Sequence, residues 1–144
     1  MKGIYSLILN CKDKFKVGNL GEMRFEGNYI YVGSAQGPGG LKRIKRHLKI
    51  AEGEKDTRYW HIDYLLGNSE VLGYCYAETR KNKECELANK LSFLETKYDF
   101  GCSDCNCNSH LFSIEESDLK NIKKTLEKAF KEIGLDPIFE TKNE

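Results

Sequence analysis

No apolar run in these 144 residues approaches the roughly 18 to 20 residues that a membrane-spanning helix needs. Internal repeats, low-complexity tracts and linker-like stretches are missing too, so nothing in the chain suggests a solenoid or a string of domains. The amino terminus has little of a signal peptide. Its short apolar run after Met1-Lys2-Gly3 is broken by Asn10, Lys12 and Asp13, and no small-residue cleavage site follows. A cytoplasmic, non-membrane location is expected. Net charge is nearly absent at +1, but the halves differ: residues 1–50 hold ten Lys/Arg and three Asp/Glu, and the rest holds thirteen against nineteen. A basic half suits a polyanionic partner.

Cysteine is present, without the spacing of a disulfide framework. Six occur, at 11, 75, 85, 102, 105 and 107, and the last three crowd into six residues. In a reducing compartment such crowding points to a metal site, a redox role or packing. With 40% hydrophobic and 31% charged residues, the composition is that of one ordinary globular domain with a real core, residues 1–144.

Gly3 to Cys11 reads as a buried strand. Lys14 to Val17 and Leu20 to Phe25 flank Gly18-Asn19 and predict a hairpin. Tyr29 to Gly33 and Val71 to Ala77 read as further strands, and Gly37 to Gly40 as a loop. Helices are predicted over Leu41–Ala51, Thr57–Leu66 (capped by Asp56), Lys83–Lys97 and Glu116–Ile133. In the last of these, Leu119, Ile122, Leu126, Phe130 and Ile133 form an apolar stripe that Gly134 and Pro137 end. Leu111–Ile114 and Ile138-Phe139 predict short strands. The order lacks regular β-α-β alternation, so the fold class is α+β with a small, mainly antiparallel sheet. The main body runs over about residues 3–97, and a Cys-rich loop and the amphipathic C-terminal helix over about 99–134.

The chemistry-bearing residues come in a fixed order: Gly3-Ile4-Tyr5, then Tyr31-Val32-Gly33-Ser34-Ala35, then Arg43 and His47, then Glu84 or Glu86. Arg43 and His47 are four apart and share one helix face. At about 100° per residue that face lies opposite Leu41 and Leu48, so the expectation is a helix that packs through its leucines and offers both side chains to a ligand. An arginine fork matches a phosphate, and a histidine beside it can hold or relay a proton. Lys42, Lys45, Arg46 and Lys49 share the helix, and the competing reading is a solvated basic face. Each tyrosine competes with plain core packing, as Tyr29 in the same strand illustrates. Glu84 is in phase with Leu87, Ala88 and Leu91, whereas Glu86 points about 200° away. A carboxylate on the inner face needs a partner, which a divalent cation with oxygen preference supplies. The alternative is a first-turn acid favoured by the helix dipole.

Together these residues resemble the GIY-YIG endonuclease family, over roughly residues 3–95. The second name motif reads Tyr31-Val32-Gly33, with Val for the usual Ile. The segments Trp60-His61-Ile62-Asp63-Tyr64-Leu65, Glu84-Cys85-Glu86-Leu87-Ala88 and 100–111 are similar to a small branch of that family named only as a domain of unknown function. That branch is sometimes fused to a DNA glycosylase, which implies a repair partner by association. The resemblance implies a three-stranded antiparallel central sheet flanked by helices, and phosphodiester hydrolysis in a nucleic acid, DNA before RNA. It implies one Mg²⁺ or Mn²⁺ held by Glu84, water activation by Tyr5 and Tyr31, phosphate stabilisation by Arg43, and proton transfer or positioning by His47. Substrate contacts would come from Lys42, Lys45, Arg46, Gly33, Ser34 and His61. The family's late asparagine has no clear match beyond Asn106 or Asn108.

Cys102, Cys105, Cys107 and His110 offer a Cys₃His zinc set. Four ligands within nine residues would strain the loop, and a structural loop lining the site is the competing reading. Two rival functions stand beside the nuclease. One is a catalytically silent nucleic-acid-binding module, the other a zinc-stabilised interaction domain of a repair complex.

Overall fold

Strands that are apolar at nearly every position must be covered on both faces, and the two central strands of this protein are. The computed structural model describes residues 2–37, 39–53, 61–96, 110–116 and 118–141, apart from the side chains of Asn19 and His61. β1 (Gly3–Lys16) and β2 (Glu22–Ala35) form a long antiparallel hairpin around a 3₁₀ turn at Gly18–Leu20. The separate strands and hairpin arms of the sequence reading are thus the two ends of the same pair. α1 (Lys42–Ala51) and α2 (His61–Leu66) follow, then β3 (Glu70–Glu78), which pairs antiparallel with β1. The remaining elements are α3 (Glu84–Lys90), β4 (Glu95–Thr96), β5 (Leu111–Ile114), α4 (Leu119–Glu132) and β6 (Ile138–Thr141).

The sheet has six strands, in the order β4-β5-β2-β1-β3-β6, all paired antiparallel. The expected α+β class and antiparallel sheet hold, but a three-stranded sheet does not describe it. The long strands β2, β1 and β3 are its centre, and strands of two to four residues extend both edges. β4 lies where the sequence predicted the end of a helix. α3 stops at Lys90, because tight i→i+3 bonds (Ser92 N–H to Asn89, Leu94 N–H to Leu91) turn the chain and free Glu95–Thr96 to pair with β5.

Side-chain alternation divides the core into two layers. Tyr5, Leu7, Leu9, Tyr29 and Tyr31 face α1 and α2 and pack with Ile44, Ile50, Ile62, Leu65 and Leu66. Ile4, Ile8, Ile30, Val32 and Cys75 face α3 and α4 and pack with Leu87, Ile122, Leu126 and Phe130. Asp118 caps α4 by accepting the Lys120 N–H, and a left-handed Gly134 ends it with a Leu135 N–H to Phe130 carbonyl bond. No helix among the described residues is long and apolar enough to cross a membrane.

Candidate active site

The α1 face of the sheet carries polar groups in an otherwise apolar layer. Tyr5 is 1% exposed, and its hydroxyl lies 2.6 Å from His47 Nε2. The ring can occupy this place because its register partner across the hairpin is Gly33. A Cβ on Gly33 would stand 2.7 Å from Tyr5 Cε2 and nearer still to the end of the ring. Gly3 answers a similar need, since a Cβ there would collide with the Ala77 carbonyl of β3. The two glycines of the paired motifs are therefore close-approach positions. Tyr31 stands beside Tyr5, its ring centroid 6.4 Å from that of Tyr5 and 6.3 Å from that of His47.

His47 is 0% exposed. α1 buries Ile44, His47 and Ile50, whereas Leu41 and Leu48 are only partly covered. The expectation that Arg43 and His47 face away from the sheet is therefore corrected: the helix turns His47 inward. The physical reason is the buried Tyr5 hydroxyl, which gives the imidazole a polar partner inside the core. Burial pushes His47 down to about 3, against a weaker upward pull from Asp63. It is neutral at ordinary pH.

Arg43 donates from Nη1 to the Ser34 carbonyl at 2.6 Å, and its charge bears on the Tyr5 phenol. A neutral His47 that carries its proton on Nδ1 leaves Nε2 to accept the Tyr5 O–H at 2.6 Å. Burial raises the Tyr5 and Tyr31 phenols above their ordinary range, Arg43 pulls both back, and the Glu84 charge pushes both up. Glu84 is thus felt at both rings although it comes from α3, across the end of β2.

The Glu84 side chain is 17% exposed and pairs with His110 Nδ1 at 3.5 Å. Glu86 is 61% exposed and lies 3.9 Å from Lys83. Of the two acids, Glu84 is the one whose charge bears on the Tyr5 and Tyr31 phenols. His110, just before β5, is held by its own carbonyl, which accepts the Val32 N–H. Its ring Nδ1 faces the Glu84 carboxylate. Cys102, Cys105 and Cys107, the other members of the expected zinc set, lie outside the described residues, as do Trp60, Asn106 and Asn108. Among the described residues no three His, Cys, Asp or Glu side chains converge to hold a metal ion.

A family model described as Domain of unknown function DUF123 matches residues 4–135. The chain belongs to this family. The DUF123 match spans every reactive side chain from Tyr5 to His110 and stops before β6. No curated protein and no solved structure matches the chain.

Other expected contact residues in this DUF123 chain divide by position. Lys42 and Lys45 are exposed on α1, and Ser34 is half-buried above the Arg43 guanidinium. Arg46, expected on the substrate side, instead reaches inward. Both terminal nitrogens lie 3.0 Å from the two carboxylate oxygens of Asp63 on α2, which is 0% exposed. The sequence reading did not single out Asp63. Its one signal was an acid inside the apolar turn Ile62 to Leu66. Tyr29 has a structural role, its hydroxyl accepting the Glu26 N–H.

Proposed function

We propose that this DUF123 chain is a metal-dependent endonuclease of the GIY-YIG kind, hydrolysing phosphodiester bonds in DNA. The observation that carries this reading is the meeting of Tyr5, Tyr31, Arg43 and His47 at one point of the sheet, with the Glu84 charge felt at both phenols. Those residues are far apart in sequence, and a packing requirement alone would be met by apolar side chains. The electrostatics agree. α1 opens with Lys42 and Arg43 and has no acid in its first turn, so side-chain charge adds to the positive end of the helix dipole instead of offsetting it. A phosphate there relieves both.

In this mechanism Arg43 binds a phosphate oxygen through its planar fork and steadies the charge that grows in the transition state. Tyr5 orients the attacking water. It is a poor base alone, since burial holds its proton. His47, neutral and in contact, takes the phenol proton as the phenol takes one from water, so no isolated phenolate is required. Tyr31 walls the site and excludes bulk solvent. A hard divalent ion binds through one or two carboxylates and retains waters, and the partly open Glu84, steadied by His110, is a donor of that kind. Bound there, Mg²⁺ or Mn²⁺ supplies Lewis acidity and charge neutralisation at the phosphate.

The test is cleavage of plasmid, nicked, flapped, branched and single-stranded DNA and RNA with Mg²⁺ or Mn²⁺. Glu84→Ala and Arg43→Ala, each shown to be folded, should lose about 100-fold or more of the wild-type rate. A wild-type protein that cuts none of these substrates overturns the nuclease. One observation favours a second reading, a catalytically silent nucleic-acid-binding module: Tyr5 and His47 are almost wholly covered. Salt-sensitive binding without cutting would select it.

A further inference from the structure

Beside the reactive cluster, one strand further along the sheet, a cavity of about 300 Å³ opens between α1 and the β3–β6 edge. Its lining includes Leu41, Lys42, Lys45, Tyr74, Tyr76 and Glu140. We propose that this groove holds an unpaired nucleobase of a single-stranded nucleic acid, with the backbone on Lys42 and Lys45. The ligand class rests on the phosphodiesterase reading above; the groove and its chemistry do not.

Three features select this ligand. First, Tyr74 and Tyr76 are half-buried and stacked, with centroids 6.1 Å apart and planes 26° apart, so they present aromatic surface to the groove. Base faces stack on such rings without regard to sequence, and in a duplex those faces are already covered. Second, the Glu140 carboxylate at the wall accepts the Tyr74 hydroxyl and is an acceptor only. An unpaired base offers N–H groups on its pairing edge that a duplex uses up. Third, Lys42 and Lys45 are exposed on the rim and supply cations for the backbone. The size is at the lower end of the roughly 300–1,000 Å³ typical of small-molecule sites. Tyr76 is the register neighbour of Tyr5, and α1 carries the rim lysines together with Arg43 and His47. A strand with one base in the groove would therefore lay a nearby phosphate toward the cluster, which makes junctions between duplex and single strand the fitting substrates.

The experiment is equilibrium binding in EDTA, so that cutting plays no part. Fluorescence anisotropy would follow a labelled mixed-sequence single-stranded DNA and a blunt duplex of the same sequence. Wild type should prefer the single strand, and Tyr74→Leu and Tyr76→Leu should each weaken single-strand binding about tenfold while leaving duplex binding unchanged. Lys42→Ala with Lys45→Ala, both exposed and safe for folding, should reduce the salt slope for single strands by about 1.4. No preference for single strands, or unchanged binding in melting-competent leucine variants, overturns the groove. If the leucine variants do not fold, the lysine pair decides, and an unchanged salt slope overturns it. Expected binding with no cleavage by any substrate would leave the groove and remove the nuclease. Cleavage with indifferent tyrosine variants would do the reverse.

Discussion

A side chain at position 33 would have to share space with the Tyr5 ring, since a Cβ there lies 2.7 Å from Cε2. Gly33→Ala must push the ring off His47 or bend the hairpin. Overpacking of this kind costs about 1–3 kcal/mol, and urea unfolding should register it. In a Tyr5→Ala background the same substitution should cost far less, because the obstacle is gone. Equal costs in the two backgrounds would place the strain elsewhere. The sequence made both glycines visible as neighbours of tyrosines, which suggests close approach. It could not say that what approaches Gly33 is the other motif's tyrosine, because that depends on the hairpin register Tyr5 to Gly33. In the same way, Glu84 was separable from Glu86 by helical phase, whereas its pairing with His110 joins residues from different elements and has no local signature.

At the scale of elements, the ion pair between Arg46 and Asp63 ties α1 to α2. Both oxygens of a carboxylate with no solvent exposure face one guanidinium. Removing the cation takes a two-pronged partner from a carboxylate with no solvent exposure, and breaking a buried pair in this way costs up to about 3–5 kcal/mol. Arg46→Ala should therefore lower unfolding stability by that order, and adding Asp63→Leu should recover much of it. A basic side chain acting only as a surface phosphate contact would leave stability unchanged on removal, so the unfolding midpoint of Arg46→Ala distinguishes the two roles. Helical phase for α1 misled here. Counting from Leu41 and Leu48 placed the inner face by apolarity, yet the helix buries His47 and draws Arg46 partly inward, because polar groups inside the core are satisfied by Tyr5 and Asp63. A pattern that scores only apolar residues cannot find a face held partly by hydrogen bonds. The inner halves of the long strands and α4 were legible because their apolar runs and stripe are continuous there, whereas the polar outer halves of β1 and β2 hid that each is one strand. β4 was not legible, since two residues carry no period.

For the whole molecule, the buried pair at the centre makes stability depend on pH. The histidine that burial holds at about 3 when folded returns to 6.5 on unfolding. Between those values the unfolded chain binds a proton that the folded chain does not, so stability falls as pH falls, by up to about 1.4 kcal/mol per pH unit from this group. Among the described residues, the groups that act on it include the Tyr5 hydroxyl, the Asp63 carboxylate, which favours the charged ring, and Arg46 and Arg43, which oppose it. At the alkaline end the sign reverses for the phenols. Tyr5 and Tyr31 keep their protons in the fold beyond the pH at which the unfolded chain loses them, so their contribution is complete below about 10 and declines above it. The expected stability profile is a plateau near neutrality with losses on both sides. His47→Gln, which can still accept from Tyr5, removes the titrating ring and should flatten the acid side between about 6.5 and 3 relative to wild type while leaving the alkaline side intact. Urea unfolding at intervals from pH 7 to pH 4 reads this difference. Parallel acid limbs in the two proteins would mean that the imidazole is not the group that couples the fold to protons, and the neutral acceptor assigned to His47 would have to be given up.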